Sequence, residues 1–230
     1  MQKLNIIYIH SHDTGRYIQP HGYGVSTPNL QQMAEEGLMF RQAFCVSPTC
    51  SPSRASLLTG EYPHSNGQFG LVNRGFNLPD TDKHIVAFLK NLGYYTALFG
   101  FQHVREEPKT IGYDHVDYLD DKAEALLPSV LGFLDNAPSK PFFMSVGFSE
   151  THREFPQLTK EDKPQYCLPP NPLPDTPEVR ADMAAYKASL RVLDDGIGQI
   201  LRKLEAVVAS PEDREPHEIW DYTIQKDGFV

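Results

Sequence analysis

The sequence predicts an α/β domain, a mostly parallel sheet flanked by helices, from three observations. Leu4–Ile9, Tyr94–Phe99 and Pro141–Phe148 are short, compact apolar runs of the kind that strands buried on both faces of a parallel sheet require. Segments with helical spacing lie between these runs, which gives the alternation of a βα chain. Each run then ends in polar, titratable residues: His10-Ser11-His12-Asp13 after the first, His103 after the second, Ser149 to Arg153 after the third. Open α/β sheets bind ligands outside the carboxyl ends of their strands, so these three tips are expected to share one site.

The first helix is expected to open at Thr27 as N-cap, with Pro28 in the first helical position, Leu30, Met33 and Ala34 on the apolar face and Gly37 as its end. Leu38 to Phe44 alternates well enough for a strand. The next helix is expected to take Ser51 as N-cap and Pro52 as first residue, to continue through Ala55, Leu57 and Leu58, and to stop at Gly60. Glu61 to Gly67 is a turn-rich loop in which His64 is a packing residue. Ile85, Phe88, Leu89 and Leu92 repeat at helical spacing up to Gly93. Lys122 to Leu134 forms a helix interrupted or bent near Pro128. Tyr166 to Pro177 is a proline-rich extended loop. A long helix follows, with Thr176 as cap and an apolar stripe of Val179, Met183, Leu190, Leu193, Ile197, Ile200, Leu201 and Leu204. Asp194-Asp195 is expected on its solvated side.

The 230 residues suffice for one large domain with its own core, and 40% hydrophobic with 22% charged residues is ordinary for a globular chain. A net charge of −9 argues against nucleic-acid and anionic-membrane partners. An anionic substrate must then be attracted locally. Cys45, Cys50 and Cys167 make no disulfide framework and no Cys-x-x-Cys pair. No apolar run reaches membrane-spanning length, and the N-terminus leads straight into a strand without a signal peptide, so a cytoplasmic location is expected.

Cys50 falls at a helix N-terminus, where free N–H groups and the macrodipole favour an anion. Arg54 follows one turn on, so it can share that face. A sulfur nucleophile, a helix N-terminus and a guanidinium together describe a site for a tetrahedral oxyanion. Asp13 reads equally as a metal ligand and as an Asp capping the turn before Gly15. A lone histidine such as His103 or His152 reads as a structural or as a functional group.

Cys50-Ser51-Pro52-Ser53-Arg54, four further residues and Thr59-Gly60 resemble the signature of the sulfatase family. The resemblance implies the N-terminal part of an alkaline-phosphatase-like sulfatase domain, spanning 1–209, before a divergent polar tail at 210–230. It implies that the formylglycine-generating enzyme oxidises Cys50 to formylglycine, whose hydrated aldehyde is the nucleophile. It also implies a divalent metal, calcium in the family, and hydrolysis of a sulfate ester or sulfamate on a sulfated small molecule or glycan. Cys50, Arg54, His103 and His152 are then the catalytic residues, and Asp13, Cys50 and His12 the metal ligands. His64-Ser65-Asn66-Gly67 is similar to the His-x-Asn-Gly loop that follows the signature.

Two positions depart from the family pattern. Sulfatases carry two adjacent aspartates after the first strand, and here the pair is His12-Asp13, which suits zinc, manganese or iron better than calcium. The pattern Gly-Lys-x-His stands here as Gly100-Phe101-Gln102-His103, which removes a sulfate-neutralising cation; Arg105 is the nearest that could replace it. The proline-rich stretch with Thr176-Pro177 and Arg180-Ala181-Asp182 resembles the N-sulfoglucosamine sulfohydrolase branch, as does Ser51 to Gly60 read with Pro141-Phe142-Phe143. The Asp-Asn-Gly or Asp-His-Gly motif that completes the metal site in sulfatases does not occur after Ala209. Two rival readings stand beside the sulfatase: a phosphonate or phosphodiester hydrolase on the same scaffold, since phosphoryl and sulfuryl centres have similar shapes, and, from these departures, an inactive fragment or binding module.

Overall fold

A computed structural model describes residues 3–208; the polar tail expected over 210–230 and the domain boundary at 209 lie outside the described residues. Four strands, β1 (Ile6–His10), β2 (Tyr95–Gly100), β3 (His115–Asp117) and β4 (Phe142–Gly147), form one parallel sheet in the order β1-β4-β2-β3. The helices are α1 (Pro28–Glu36), α2 (Cys50–Thr59), α3 (Pro63–Asn66), α4 (Ile85–Asn91), α5 (Ala123–Asp135) and α6 (Pro177–Val208). The three apolar runs are thus β1, β2 and β4. β3 escaped the sequence reading because its three residues, His115, Val116 and Asp117, are too few and too polar to look like a strand.

Side chains alternate across the sheet and build two cores. Ile7 and Ile9, Ala97 and Phe99, and Phe142, Met144 and Val146 face α1, α5 and α6. Tyr8, Leu98 and Phe143 face the opposite way, against Ala55 and Leu58 of α2 and Val86 and Leu89 of α4. A helix layer on each face of a parallel sheet is what near-continuous apolar strands demand. Gly147 is required where β1 and β4 end side by side: it pairs with His10 in register, and a Cβ there would lie 1.9 Å from the Phe101 carbonyl oxygen and 2.5 Å from His10 Cε1. That gap lets the His10 ring lie against the backbone at the strand tips.

Several local expectations are corrected. Residues 38–44 form no strand; Leu38, Phe40 and Phe44 are exposed, and alternation without a neighbouring edge does not make a strand. Helix α2 begins at Cys50, with Thr49 in the N-cap position, because Ser51 Oγ accepts instead from the Val72 N–H at 3.1 Å. Gly60 ends it as expected, with φ 70°. The 61–67 loop contains α3, closed by Gly67 at φ 83°. On α4 the buried residues are Val86 and Leu89, whereas Phe88 and Leu92 face solvent. Helix α5 runs unbroken through Pro128, whose ring is on the exposed side.

Asp194 is not on a solvated side; it is 2% exposed, while its neighbour Asp195 is exposed. Its Oδ1 accepts from the Leu30 N–H at 2.8 Å, and its Oδ2 from the Asn29 N–H at 3.1 Å and Asn29 Nδ2 at 2.8 Å. Asp194 therefore caps α1 from across the core. Thr27 does not cap it, because its hydroxyl accepts from the Gln19 N–H. Asp194→Ala leaves two buried N–H groups without acceptors and is expected to cost about 2 kcal/mol. Urea unfolding checks this: a loss under 0.5 kcal/mol, on the order of an ordinary surface substitution, would remove the capping role.

Candidate active site at the strand tips

The site is assembled where the sheet's hydrogen bonding runs past the strand ends. The Phe148 N–H donates to the His10 carbonyl, the His12 N–H to the Glu150 carbonyl and the Thr151 N–H to the His12 carbonyl, at 2.8–2.9 Å. His12 is thereby clamped between the tips of β1 and β4. Tyr186 of α6 donates through its hydroxyl to the Thr14 carbonyl at 2.8 Å and fixes the turn that follows. The side of Glu150 away from the site caps α5, its carboxylate oxygens 3.2–3.3 Å from the Ala123 N–H; burial raises its pKa.

Arg54 enters from α2 and is 1% exposed. It donates through Nη1 to His10 Nδ1 at 2.6 Å and through Nη2 to the Ser11 carbonyl at 2.9 Å. A guanidinium only donates, so His10 Nδ1 holds a lone pair and the ring proton sits on Nε2. Burial, then the Arg54 charge, then His12, hold the His10 pKa well below its ordinary value, and the imidazole stays neutral. The guanidinium carbon lies 5.0 Å from the centre of the Phe101 ring.

The four residues expected from sequence to meet do meet. Cys50 Sγ is 3.9 Å from Asp13 Oδ1, and His152 Nε2 is 3.6 Å from Asp13 Oδ2. One donor atom each of His12, Cys50 and His103 lie within 4.8 Å of one another, as do those of His12, Asp13 and His152. Asp13 and His103 are the two non-glycine residues with positive φ, 62° and 60°, among the described residues. Left-handed backbone at both marks the site as built at a conformational cost.

Charge at the site is set by the neighbours. Burial alone would raise the Asp13 pKa, but contact with His12 and the charges of His12, His152 and Arg54 hold it below the usual carboxylate value. His103 is pushed down to about 4, first by burial and then by His12, Arg54 and His152. At neutral pH the site thus offers the Asp13 carboxylate and a neutral His103 imidazole. His152 is half exposed at the mouth, and its Nδ1 contacts the Arg153 carbonyl.

Phe101, in place of the lysine of the sulfatase pattern, is an aromatic wall: its ring centre is 4.6 Å from that of His12 and 5.0 Å from that of His103. Arg105 does not fill the gap, since its Nη1 is tied to the Leu78 carbonyl at 2.9 Å. His64 packs its ring edge on Phe69, in keeping with a loop role, while Asn66 ties the loop to α2 by donating to the Glu61 carbonyl and Ser56 Oγ. A largely apolar cavity of about 270 Å³ is lined by Ile9, Thr14, Leu30, Met33 and Phe40 and reaches His10 and Ser11, the partners of Arg54. Sequence reasoning missed His10 and Tyr186, because both act through contacts made 44 and 172 residues away.

The donor set bears directly on a metal. A calcium ion takes six to eight oxygens, whereas Asp13 is the one carboxylate among His12, Cys50, His103 and His152. Nitrogen, sulfur and a single carboxylate suit a borderline divalent ion, and the buried Nδ1 of His103 makes no hydrogen bond that would compete for its lone pair.

A parallel sheet between two helical layers, with a cysteine at a helix N-terminus, a buried arginine and three histidines at the strand tips, is an alkaline-phosphatase-like fold. The chain belongs to the sulfatase family, whose family model matches residues 4–208. It is 31% identical over 215 residues to the human N-sulphoglucosamine sulphohydrolase, covering 78% of this chain and 42% of that one. It is likewise 31% identical over 125 residues to an N-acetylglucosamine-6-O-sulfatase of Bacteroides thetaiotaomicron, covering 54% of this chain and 22% of that one. The fold is shared with a protein solved in complex with its substrate D-glucosamine-2-N,6-O-disulfate, at TM-score 0.72 and 19% identity over 90% of this chain and 63% of that one. The chain thus spans well under half the length of these curated relatives.

Proposed function

We propose that this chain carries the nucleophile half of a sulfatase site that hydrolyses a sulfate ester or sulfamate on a sulfated glycan. The observation that carries the reading is the meeting of Cys50, Asp13, His103 and His152 beside the buried Arg54. The names of the relatives, an N-sulphoglucosamine sulphohydrolase and an N-acetylglucosamine-6-O-sulfatase, support the glycan class.

Each residue has a role that its position permits. Cys50, at the first turn of α2, takes the formylglycine modification, and helix N–H groups favour negative charge beside it. Arg54, pinned by His10 and Ser11, places a fixed positive charge behind the developing oxyanion. Neutral His103 can accept a proton at the nucleophile. His152, at the mouth and paired with Asp13, can deliver one to the leaving group. His12, Asp13 and residue 50 would hold a divalent metal, which would supply further positive charge at the site. Sulfamate and ester share these needs, and the chain alone is expected to turn over slowly because Phe101 removes a cation and Asp13 is its single carboxylate ligand.

Co-expression with a formylglycine-generating enzyme is the test. Peptide mass spectrometry is expected to find the aldehyde at residue 50, and aryl-sulfate turnover, slow as it is, to vanish in Cys50→Ala. Unmodified thiol beside an active modifying enzyme would sink the covalent mechanism. Aryl-phosphodiester turnover exceeding that of the sulfate would move the substrate class to phosphodiesters.

A further inference from the structure

We infer that, with residue 50 still a cysteine, the site is a zinc-type metal centre: Cys50 thiolate, His12 and His103 imidazoles and the Asp13 carboxylate hold one borderline divalent ion. The inference rests on the site of the proposed function, and concerns the chain before any modification. Calcium, which the resemblance implies, is not the ion this donor set selects.

Three observations carry it. One donor atom each of His12, Cys50 and His103 already lie within 4.8 Å of one another, and a small inward adjustment brings them to the spacing of a tetrahedral ion with bonds of about 2.0–2.3 Å. Asp13 lies beside this trio, with Oδ1 3.9 Å from Cys50 Sγ and 2.9 Å from His12 Nδ1; it now clusters with His12 and His152, and its carboxylate must turn toward the ion to become the fourth ligand. The buried Nδ1 of His103 makes no hydrogen bond, while the 3% exposed His12 turns its Nδ1 only to the Asp13 carboxylate, at 2.9 Å. A buried polar atom without a partner is uncommon, and one in this cluster beside a thiol points to an absent ligand.

Charge and surroundings favour the same ion. Binding forms a metal–sulfur bond and releases the Cys50 thiol proton to solvent, so a divalent ion with one thiolate and one carboxylate gives a neutral centre. A neutral centre suits the Phe101 wall, which touches both imidazoles, and tolerates the Arg54 charge behind it. The backbone clamp of His12 to Glu150 and Thr151 fixes one ligand before the ion arrives.

The chain is made without the modifying enzyme, stripped with chelator and titrated with zinc, cobalt(II) or calcium. One equivalent of zinc is expected to survive desalting, with about one proton released at neutral pH. Cobalt is expected to give the near-ultraviolet thiolate charge-transfer band and the strong visible bands of a four-coordinate ion. The charge-transfer band is expected to vanish in Cys50→Ser, and zinc affinity to fall at least about tenfold in His103→Asn, with circular dichroism showing both variants folded. No charge-transfer band in the wild type, or calcium displacing zinc at equal concentration, overturns the proposal. If the aldehyde forms on co-expression but zinc fails to bind the thiol form, the metal inference alone is wrong. If zinc binds but no aldehyde forms, the sulfatase mechanism alone is wrong.

Discussion

Arg54→Ala is expected to cut aryl-sulfate turnover of the aldehyde-bearing protein by about 10²–10³-fold, the cost of losing one preorganised donor to a developing oxyanion. It is also expected to destabilise the fold by about 3 kcal/mol, because a buried donor removed leaves its acceptors unsatisfied. Those acceptors are His10 Nδ1 and the Ser11 carbonyl, and the side chain is 1% exposed. Turnover and stability should separate in Arg54→Lys. The ammonium keeps the charge behind the oxyanion but is a point donor that cannot span both acceptors as the planar fork does. Its stability loss is expected to be near that of alanine, and its turnover loss smaller. Equilibrium unfolding and turnover on the same preparations check both. An alanine variant within 0.5 kcal/mol of wild type, about the scatter of a neutral surface change, would show that Arg54 does not hold the strand tip together.

How legible this was in the sequence depended on the range of the interaction. Strands β1, β2 and β4 and helices α1, α2, α4, α5 and α6 were legible because burial gives compact apolar runs, and because Gly60 and Gly93 stop helices locally, with φ 70° and 86°. Asp13, His103 and His152 were legible through one rule, that polar groups after buried parallel strands converge, and Cys50 through its place at a helix N-terminus pointing to the same region. What failed was long-range. Asp194 looked solvated beside Asp195, and only the packing of α6 on α1 shows it as the cap of Asn29 and Leu30. Residues 38–44 alternate like a strand and lack a partner among the described residues. His10 looked like one polar residue in a row, and its neutrality follows from burial and from Arg54, 44 residues on. Helix starts failed for a related reason: Ser51, a good cap by type, spends its hydroxyl on Val72.

Lowering the pH from 7 to 4 is expected to remove about 3 kcal/mol of stability through His84 alone, with His10 adding to it. His84 is 1% exposed, and burial lowers its pKa from 6.5 to about 4. Its Nδ1 accepts from the Val86 N–H at 3.2 Å, so it caps α4 only while that nitrogen is unprotonated. The unfolded chain takes up a proton near pH 6.5 and the folded chain not until about pH 4. Between those values the unfolded state binds more protons, so stability falls as pH falls through the window. The size follows from about 2.5 pH units at 1.36 kcal/mol each. His10 is lowered in the same direction by burial and Arg54, and its loss adds over the same range. Asp13, held below its usual value, adds a loss only at lower pH, below about 3.8. Guanidinium unfolding at half-unit steps between pH 7 and 4 measures the slope. His84→Asn isolates the cause, since asparagine caps a helix well and does not titrate. It is expected to keep most of the stability at pH 7 and to flatten the slope by about one proton. A variant as acid-sensitive as wild type would place the loss elsewhere, and a wild type stable to pH 4 would contradict the burial of both histidines.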